Sequence, residues 1–217
     1  MITAAFPTHS IVGEEEGGSL QTNTDSGTDS WSWILDPIDG TFSFVHGIPF
    51  YSSLLAVLKN GVPQIGFAAL PELDIIMSAD KGRGAWINGE VYKRPERLGQ
   101  DAIELVATAD PYRFRMEKVG HLVNDFYTSE LKARTYPDAL GYYMLLRGSV
   151  RAFVDPKVEI WDVAPFHVIL PEAGFTIHAW TQTHQTRRLE RGSSVAYALS
   201  DEGVPLAVDD VLKLLKG

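Results

Sequence analysis

Residues 33–41 read Trp33-Ile34-Leu35-Asp36-Pro37-Ile38-Asp39-Gly40-Thr41. Trp31, Trp33 and Leu35 alternate with Ser32, Ile34 and Asp36, the period-two signal of a strand, and the run is interrupted at Pro37. Two carboxylates three residues apart therefore stand where a strand ends. The proline forces a bend, so Asp36, Asp39 and the Ile38 carbonyl can point to one side. Gly40 allows the backbone to come close to a ligand, and Thr41 opens a segment whose free amides can receive an anion. Oxygen ligands of this kind suit a hard cation such as Mg2+. The competing reading is an Asp-Pro turn followed by an Asp-Gly turn, which needs no ligand.

Outward from this stretch the pattern stays β-rich. Tyr51 to Leu58 is a second strand, Asn60-Gly61 a strong hairpin signal, Gln64 to Leu70 the returning strand and Leu73 to Ser78 a third. A further hairpin surrounds Ala85-Trp86-Ile87, so residues 31–92 read as an antiparallel meander. Trp31 and Trp33 are expected to pack in the core. The Ser, Thr, Asn, Asp and Gly between Ser19 and Ser30 read as an exposed loop. Later segments alternate: a strand over Ile103–Thr108, a helix over Pro111–Val123, a helix over Asp138–Arg147 capped by Asp138 and a strand over Val150–Val154. A helix over Asp162–Ala173 follows, capped by Asp162 and stopped by Gly174, then a strand over Val195–Leu199 and a helix over Asp209–Lys216. The class is mixed α and β.

Composition removes whole classes of function. The 217 residues contain no cysteine, which excludes disulfide scaffolds, thiolate metal sites and cysteine nucleophiles. A net charge of -9 removes any general attraction to a phosphate backbone, so no nucleic-acid partner is expected. No apolar run reaches the ~18 residues of a membrane span, and Met1 to Pro7 lacks the features of a secretory signal. No membrane partner and a cytoplasmic location are therefore expected. The six histidines show no metal-ligand spacing, and Ser193-Ser194 has no neighbouring His–Asp arrangement. Gly82-x-Gly84 falls in a hairpin rather than before a helix, which argues against a nucleotide loop. Arg187, Arg188 and Arg191 read as a solvated loop.

Two more acidic places bear on the metal reading. Glu14 and Glu15 follow Gly13 at a strand-to-loop transition, where the alternative is a solvated acidic loop. Asp162 follows Trp161 at the start of a helix, where the alternative is a plain N-cap. The coincidence of all three places favours a cation site.

Together, Gly13-Glu14-Glu15, the 33–41 stretch with Phe44 and Pro49, Trp161-Asp162-Val163-Ala164 and Glu172-Ala173-Gly174 resemble the inositol monophosphatase family of magnesium-dependent phosphomonoesterases. The order and spacing agree from Phe6 onward. The resemblance implies one layered α/β/α/β sugar-phosphatase domain over residues 1–217. Its metal-motif and antiparallel part would run to residue 100, and its C-terminal α/β part from 101. It implies two or three Mg2+ ions, with Mn2+ a possible substitute. Glu14, Asp36 and the Ile38 carbonyl would hold one ion, and Asp36, Asp39 and Asp162 a second. Thr41 and Glu14 would orient the attacking water, and the Gly40 and Thr41 amides would hold phosphate oxygens. Two such ions would activate the water and stabilise the leaving alkoxide. A homodimer is expected on the same basis.

Phe42 to Pro49 and Val154-Asp155-Pro156, seven residues ahead of Trp161-Asp162, resemble the histidinol-phosphatase branch. On that resemblance Asp155 would face the leaving group, and the substrate is histidinol phosphate or an inositol monophosphate. Family members normally begin with a pair of helices and a further aspartate ahead of the Glu14 motif, whereas residues 1–12 contain no Asp or Glu. The expected fold is therefore N-terminally shortened, with a sheet face exposed unless a partner or the chain's own N-terminus shields it. The alternative function is a catalytically weak or inactive member that acts through binding or a partner.

Overall fold

A computed structural model describes residues 1–15, 29–95, 105–116, 132–150, 152–155, 158–181, 184–185 and 195–200. Strand β1 (Ser10–Gly13) pairs parallel to β2 (Trp31–Asp39). Strands β3 (Ser52–Lys59), β4 (Val62–Leu70), β5 (Ile75–Asp80), β6 (Gly84–Ile87) and β7 (Glu90–Val91) then follow antiparallel in sequence order. Asn60 and Gly61 both take positive φ, 51° and 76°, between β3 and β4. That is the backbone demanded by a tight hairpin whose twist matches its strands.

The second sheet is built from β8 (Leu105–Thr108), β9 (Lys132–Thr135), β10 (Ala152–Asp155), β11 (Phe175–Thr181), β12 (His184–Gln185) and β13 (Val195–Ser200). Its order is β12-β11-β13-β10-β8-β9. β8 runs parallel to β9 and β10, so the three strands deliver their carboxyl ends to one side. The helices are α1 (Ile2–Ala5), α2 (Thr41–Val45), α3 (Pro111–Met116), α4 (Asp138–Leu146), α5 (Ile160–Val163) and α6 (Phe166–Glu172). α5 packs on β2 and β3, α6 on β4, β5, β6 and β11, and α4 on β8, β10 and β13. Helices thus lie between two sheets, in the layered α/β arrangement expected. One core runs through all three layers, joining Ile34, Leu58 and Met77 to Leu145, Phe166 and Leu170 and to Phe153. Each such side chain contributes roughly 1.5–3 kcal/mol when fully buried. Among the described residues no helix is long and apolar enough to cross a membrane.

Several local expectations are corrected. Trp31 and Trp33 are only half-buried, while Ser32, Ile34 and Asp36 occupy the core-facing side of β2. The Trp face is partly covered by the N-terminal segment: Phe6 packs against Trp33, His9 stacks on Trp31, and Trp33 Nε1 lies 2.9 Å from His9 Nδ1. The helix expected over Asp162–Ala173 is two, α5 and α6, broken at Pro165, and Asp162 lies inside α5 rather than at its cap. Gly174 does follow the end of α6, at φ 80°. The expected third strand starts at Ile75 because Pro71–Leu73 forms a 3-10 turn. Strands β9, β11 and β12 are not among the expected elements. Residues 19–28, the end of the helix expected over Pro111–Val123, residues 209–216, Arg187, Arg188, Arg191, Ser193 and Ser194 lie outside the described residues.

Candidate active site

The bend at Pro37 is a β-bulge. Asp36 sits opposite Leu54 and Asp39 opposite Ser52, so Pro37 and Ile38 face Ser53 alone. In a regular strand, residues three apart point to opposite faces. One extra residue restores the parity, and both aspartates face the core, at 2% and 5% exposure. The Ile38 amide donates to Asp36 Oδ1 at 3.0 Å, and Ser53 Oγ donates to the Pro37 carbonyl at 2.7 Å, holding the bulge. Gly40 then takes φ 78° and starts α2, and Thr41 Oγ1 donates to the Ile38 carbonyl at 3.2 Å.

Asp162 reaches the same place from α5. It is half-buried, and its Oδ2 accepts the Glu159 amide at 2.9 Å in a reciprocal capping box with Glu159. One carboxylate oxygen from each of Asp36, Asp39 and Asp162 lies within 4.8 Å of the others. Glu14 follows β1, and its amide donates to the Leu35 carbonyl at 3.3 Å, which sets it beside Asp36. It is exposed and stands outside the compact trio, on the wall of the same cavity. That cavity, of about 860 Å³, is also lined by Gly40, Thr41, Asp110, Tyr112, Asp138 and Trp161.

Asp155 is placed differently from the expectation. It is buried at 2% exposure, lies outside the cavity lining, and receives Arg113 Nη1 at 3.1 Å. Other groups that line the cavity were not expected there from the sequence. Arg113, on α3, also donates through Nη2 to Asp138 Oδ1 at 3.3 Å. Asp138 makes no side-chain cap for α4, and takes a left-handed φ of 55°. Asp110 Oδ1 accepts the Tyr112 amide at 2.8 Å. One signal was available: Asp36-Pro37, Asp110-Pro111 and Asp155-Pro156 are Asp-Pro pairs, the first at the bulge of β2, the second after β8 and the third starting at the last residue of β10. Arg113 had no such mark, being one of several charges on a short helix.

The electrostatics follow from crowding acids in a partly dry place. Burial pushes Asp36 up to about 7, with repulsion from Asp39 and Glu14 adding to it. Burial also carries Asp162 up to about 7, reinforced by Asp155 and Asp36 and opposed by the Glu159 amide and Arg113. Asp39 is held well above the usual carboxylate range by burial and by Asp138 and Asp162. Beneath them the Tyr142 hydroxyl is buried without a protein partner among the described residues, and its acidity is suppressed by burial and by Asp155, Asp162 and Asp39. Crowded carboxylates repel one another unless protonated or matched by positive charge. An all-oxygen, net-negative donor set fits Mg2+ or a similar hard divalent cation, so these residues suit the ion that the motifs imply.

The profile of the inositol monophosphatase family matches residues 1–208. A histidinol-phosphatase of Mycobacterium tuberculosis is 33% identical over 177 residues, which cover 77% of this chain and 64% of that protein. The chain thus spans just under two thirds of that curated relative's length. An inositol monophosphatase from Anabaena (Nostoc) superimposes with a TM-score of 0.76 at 25% identity, covering 99% of this chain and 81% of that one. An IMPase/NADP phosphatase determined with Mg2+ and phosphate shares the fold with a TM-score of 0.79 at 20% identity, covering 100% of this chain and 76% of that one.

Proposed function

The chain belongs to the inositol monophosphatase family, and we propose from that premise that it hydrolyses a small phosphomonoester in a Mg2+-dependent reaction. The observation that carries the proposal is the bulge in β2, which turns Asp36 and Asp39 to the same face and brings both within 4.8 Å of Asp162. Asp36, Asp39 and Asp162 would hold magnesium, with Glu14 and the Ile38 carbonyl completing the set. When bound, magnesium supplies positive charge that polarises the phosphoryl group and offsets charge developing on the leaving oxygen. Glu14, exposed on the cavity wall, accepts a proton from the attacking water at its carboxylate. The Thr41 hydroxyl, bonded to the Ile38 carbonyl, orients the same water. The Gly40 and Thr41 amides bind phosphate oxygens. Asp138 and the exposed Asp110 and Tyr112 line the leaving-group side, and Asp155 acts from behind Arg113.

The similarity to a histidinol-phosphatase, with an acidic and aromatic wall around the cavity, favours histidinol phosphate over an inositol phosphate as substrate. On this reading the compartment is the cytoplasm and the assembly a homodimer, as the family resemblance implies. The test is release of inorganic phosphate from both substrates, with Mg2+ or Mn2+ and with chelator. Chelation is expected to abolish turnover, and Asp36→Asn to lower it by more than about a hundredfold. Turnover indifferent to both would overturn the proposal. Mg2+ binding without turnover on any substrate would instead identify a protein that acts by binding.

A further inference from the structure

We infer that Ser52 is a positioning residue for the cation site, acting through Asp39; the inference rests on the proposed reading of Asp39 as a metal ligand. Ser52 lies directly opposite Asp39 across the β2–β3 ladder and is completely buried. Its Oγ donates to Asp39 Oδ2. The same oxygen accepts the Ala139 amide at 3.3 Å, from the first turn of α4. A carboxylate oxygen has two lone pairs, and both on Oδ2 are engaged, so Oδ1 is left to face a cation.

The two donors come from opposite sides of the site. Ser52 belongs to the first sheet. Ala139 follows Asp138, whose carboxylate is anchored by Arg113. Of the two, Ser52 is the restraint carried by a side chain, on the strand paired with the bulge, whereas the Ala139 donor is a backbone amide that any residue there supplies. A hydrogen bond to an ionised carboxylate is about twice as strong as a neutral one, and it opposes rotation of the Asp39 carboxylate about its terminal torsion. Groups that orient a metal ligand in this way govern affinity for the ion even though they never touch it. The sequence offers no hint of this, since Ser52 sits in a strand where a serine reads as ordinary.

The experiment is calorimetric titration with Mg2+ alone, and with Mn2+ followed by electron paramagnetic resonance, on the full chain without substrate. Wild type, Ser52→Ala and Ser52→Cys are compared, each checked for a cooperative thermal transition in chelator. The alanine variant is expected to bind either ion about tenfold to a hundredfold more weakly. The cysteine variant, nearly the same size with a weaker donor, is expected to fall between. The Mg2+ concentration giving half-maximal turnover should move in the same order, with a smaller change in kcat at saturating Mg2+. Equal affinity in wild type and in whichever variants fold overturns the role of Ser52 and leaves the metal reading standing. A wild-type protein that binds neither ion overturns the metal reading, and the inference with it.

Discussion

Gly40 joins two demands at one position. Its φ of 78° belongs to the left-handed region, and a Cβ built there would stand 3.0 Å from Asp138 Oδ2 and 3.5 Å from the Phe50 carbonyl. Any side chain therefore meets backbone strain and a carboxylate that is itself held by Arg113. Gly40→Ala is expected to cost about 1–2 kcal/mol in stability from the backbone alone, measured as a lower urea midpoint. It is also expected to weaken Mg2+ binding, because Asp138 and the Ala139 amide that supports Asp39 move together. A lowered midpoint with unchanged affinity would show that Asp138 yields freely, and an unchanged midpoint would overturn the backbone argument. Arg113 lines the same cavity and meets two nearly buried carboxylates, Asp138 and Asp155. Both aspartates depend on it, since removing one member of a buried pair leaves an uncompensated charge. In the sequence Asp138 read as a helix cap, because an aspartate just ahead of an apolar run satisfies that pattern without any distant partner.

The break between α5 and α6 is the element-level device that aims Asp162. Pro165 removes an amide from the turn, and its carbonyl rests on β4 where Gly66 offers no side chain. A Cβ at Gly66 would lie 2.2 Å from the Pro165 carbonyl oxygen. That contact is with backbone, so no flexible side chain can swing aside. Gly66→Ala is expected to destabilise the fold by about 1–3 kcal/mol through overpacking. It should lower Mg2+ affinity as α5 is pushed off β2 and β3, taking Asp162 with it. Chemical denaturation and a Mg2+ titration on the same sample check both, and a stability loss with affinity intact would mean that α5 seats independently of α6. In the sequence Pro165 stands three residues after Asp162, in a first turn where a proline is tolerated. Its carbonyl's seat on a strand a hundred residues earlier was not legible there.

Across the whole molecule, the segment after β8 and the carboxyl end of β9 meet the bulge of β2 and the start of α5, so two sheets converge on one acidic cavity. Stability should depend on pH accordingly. Asp36 and Asp162 titrate near 7 in the metal-free fold, against 3.8 for the unconstrained group. Between those values the folded chain holds protons that the unfolded chain has lost. Stability therefore falls as pH rises from about 4 to about 7. A cation bound only by the folded chain raises stability by mass action and competes with those protons. Calorimetric scans should show Tm of the chelated protein falling across that interval, with Mg2+ raising Tm more at pH 8 than at pH 5. A Mg2+ effect equal at both values would argue against these carboxylates as its ligands. The sequence by itself determined what is encoded over a few neighbouring residues: the interrupted strand at Pro37, the Asn60-Gly61 hairpin, the stop at Gly174, and the acids whose spacing resembles a phosphatase family. Only the tertiary structure decided which side of β2 is covered, because strict alternation defines two faces without naming the buried one. It supplied the packing that holds Asp162 beside Asp36 and Asp39, and it alone paired Arg113 with Asp138 and Asp155 and set Ser52 against Asp39. Those contacts join residues that are far apart along the chain or are read one strand at a time, and their energy exists only once the sheets and helices have packed.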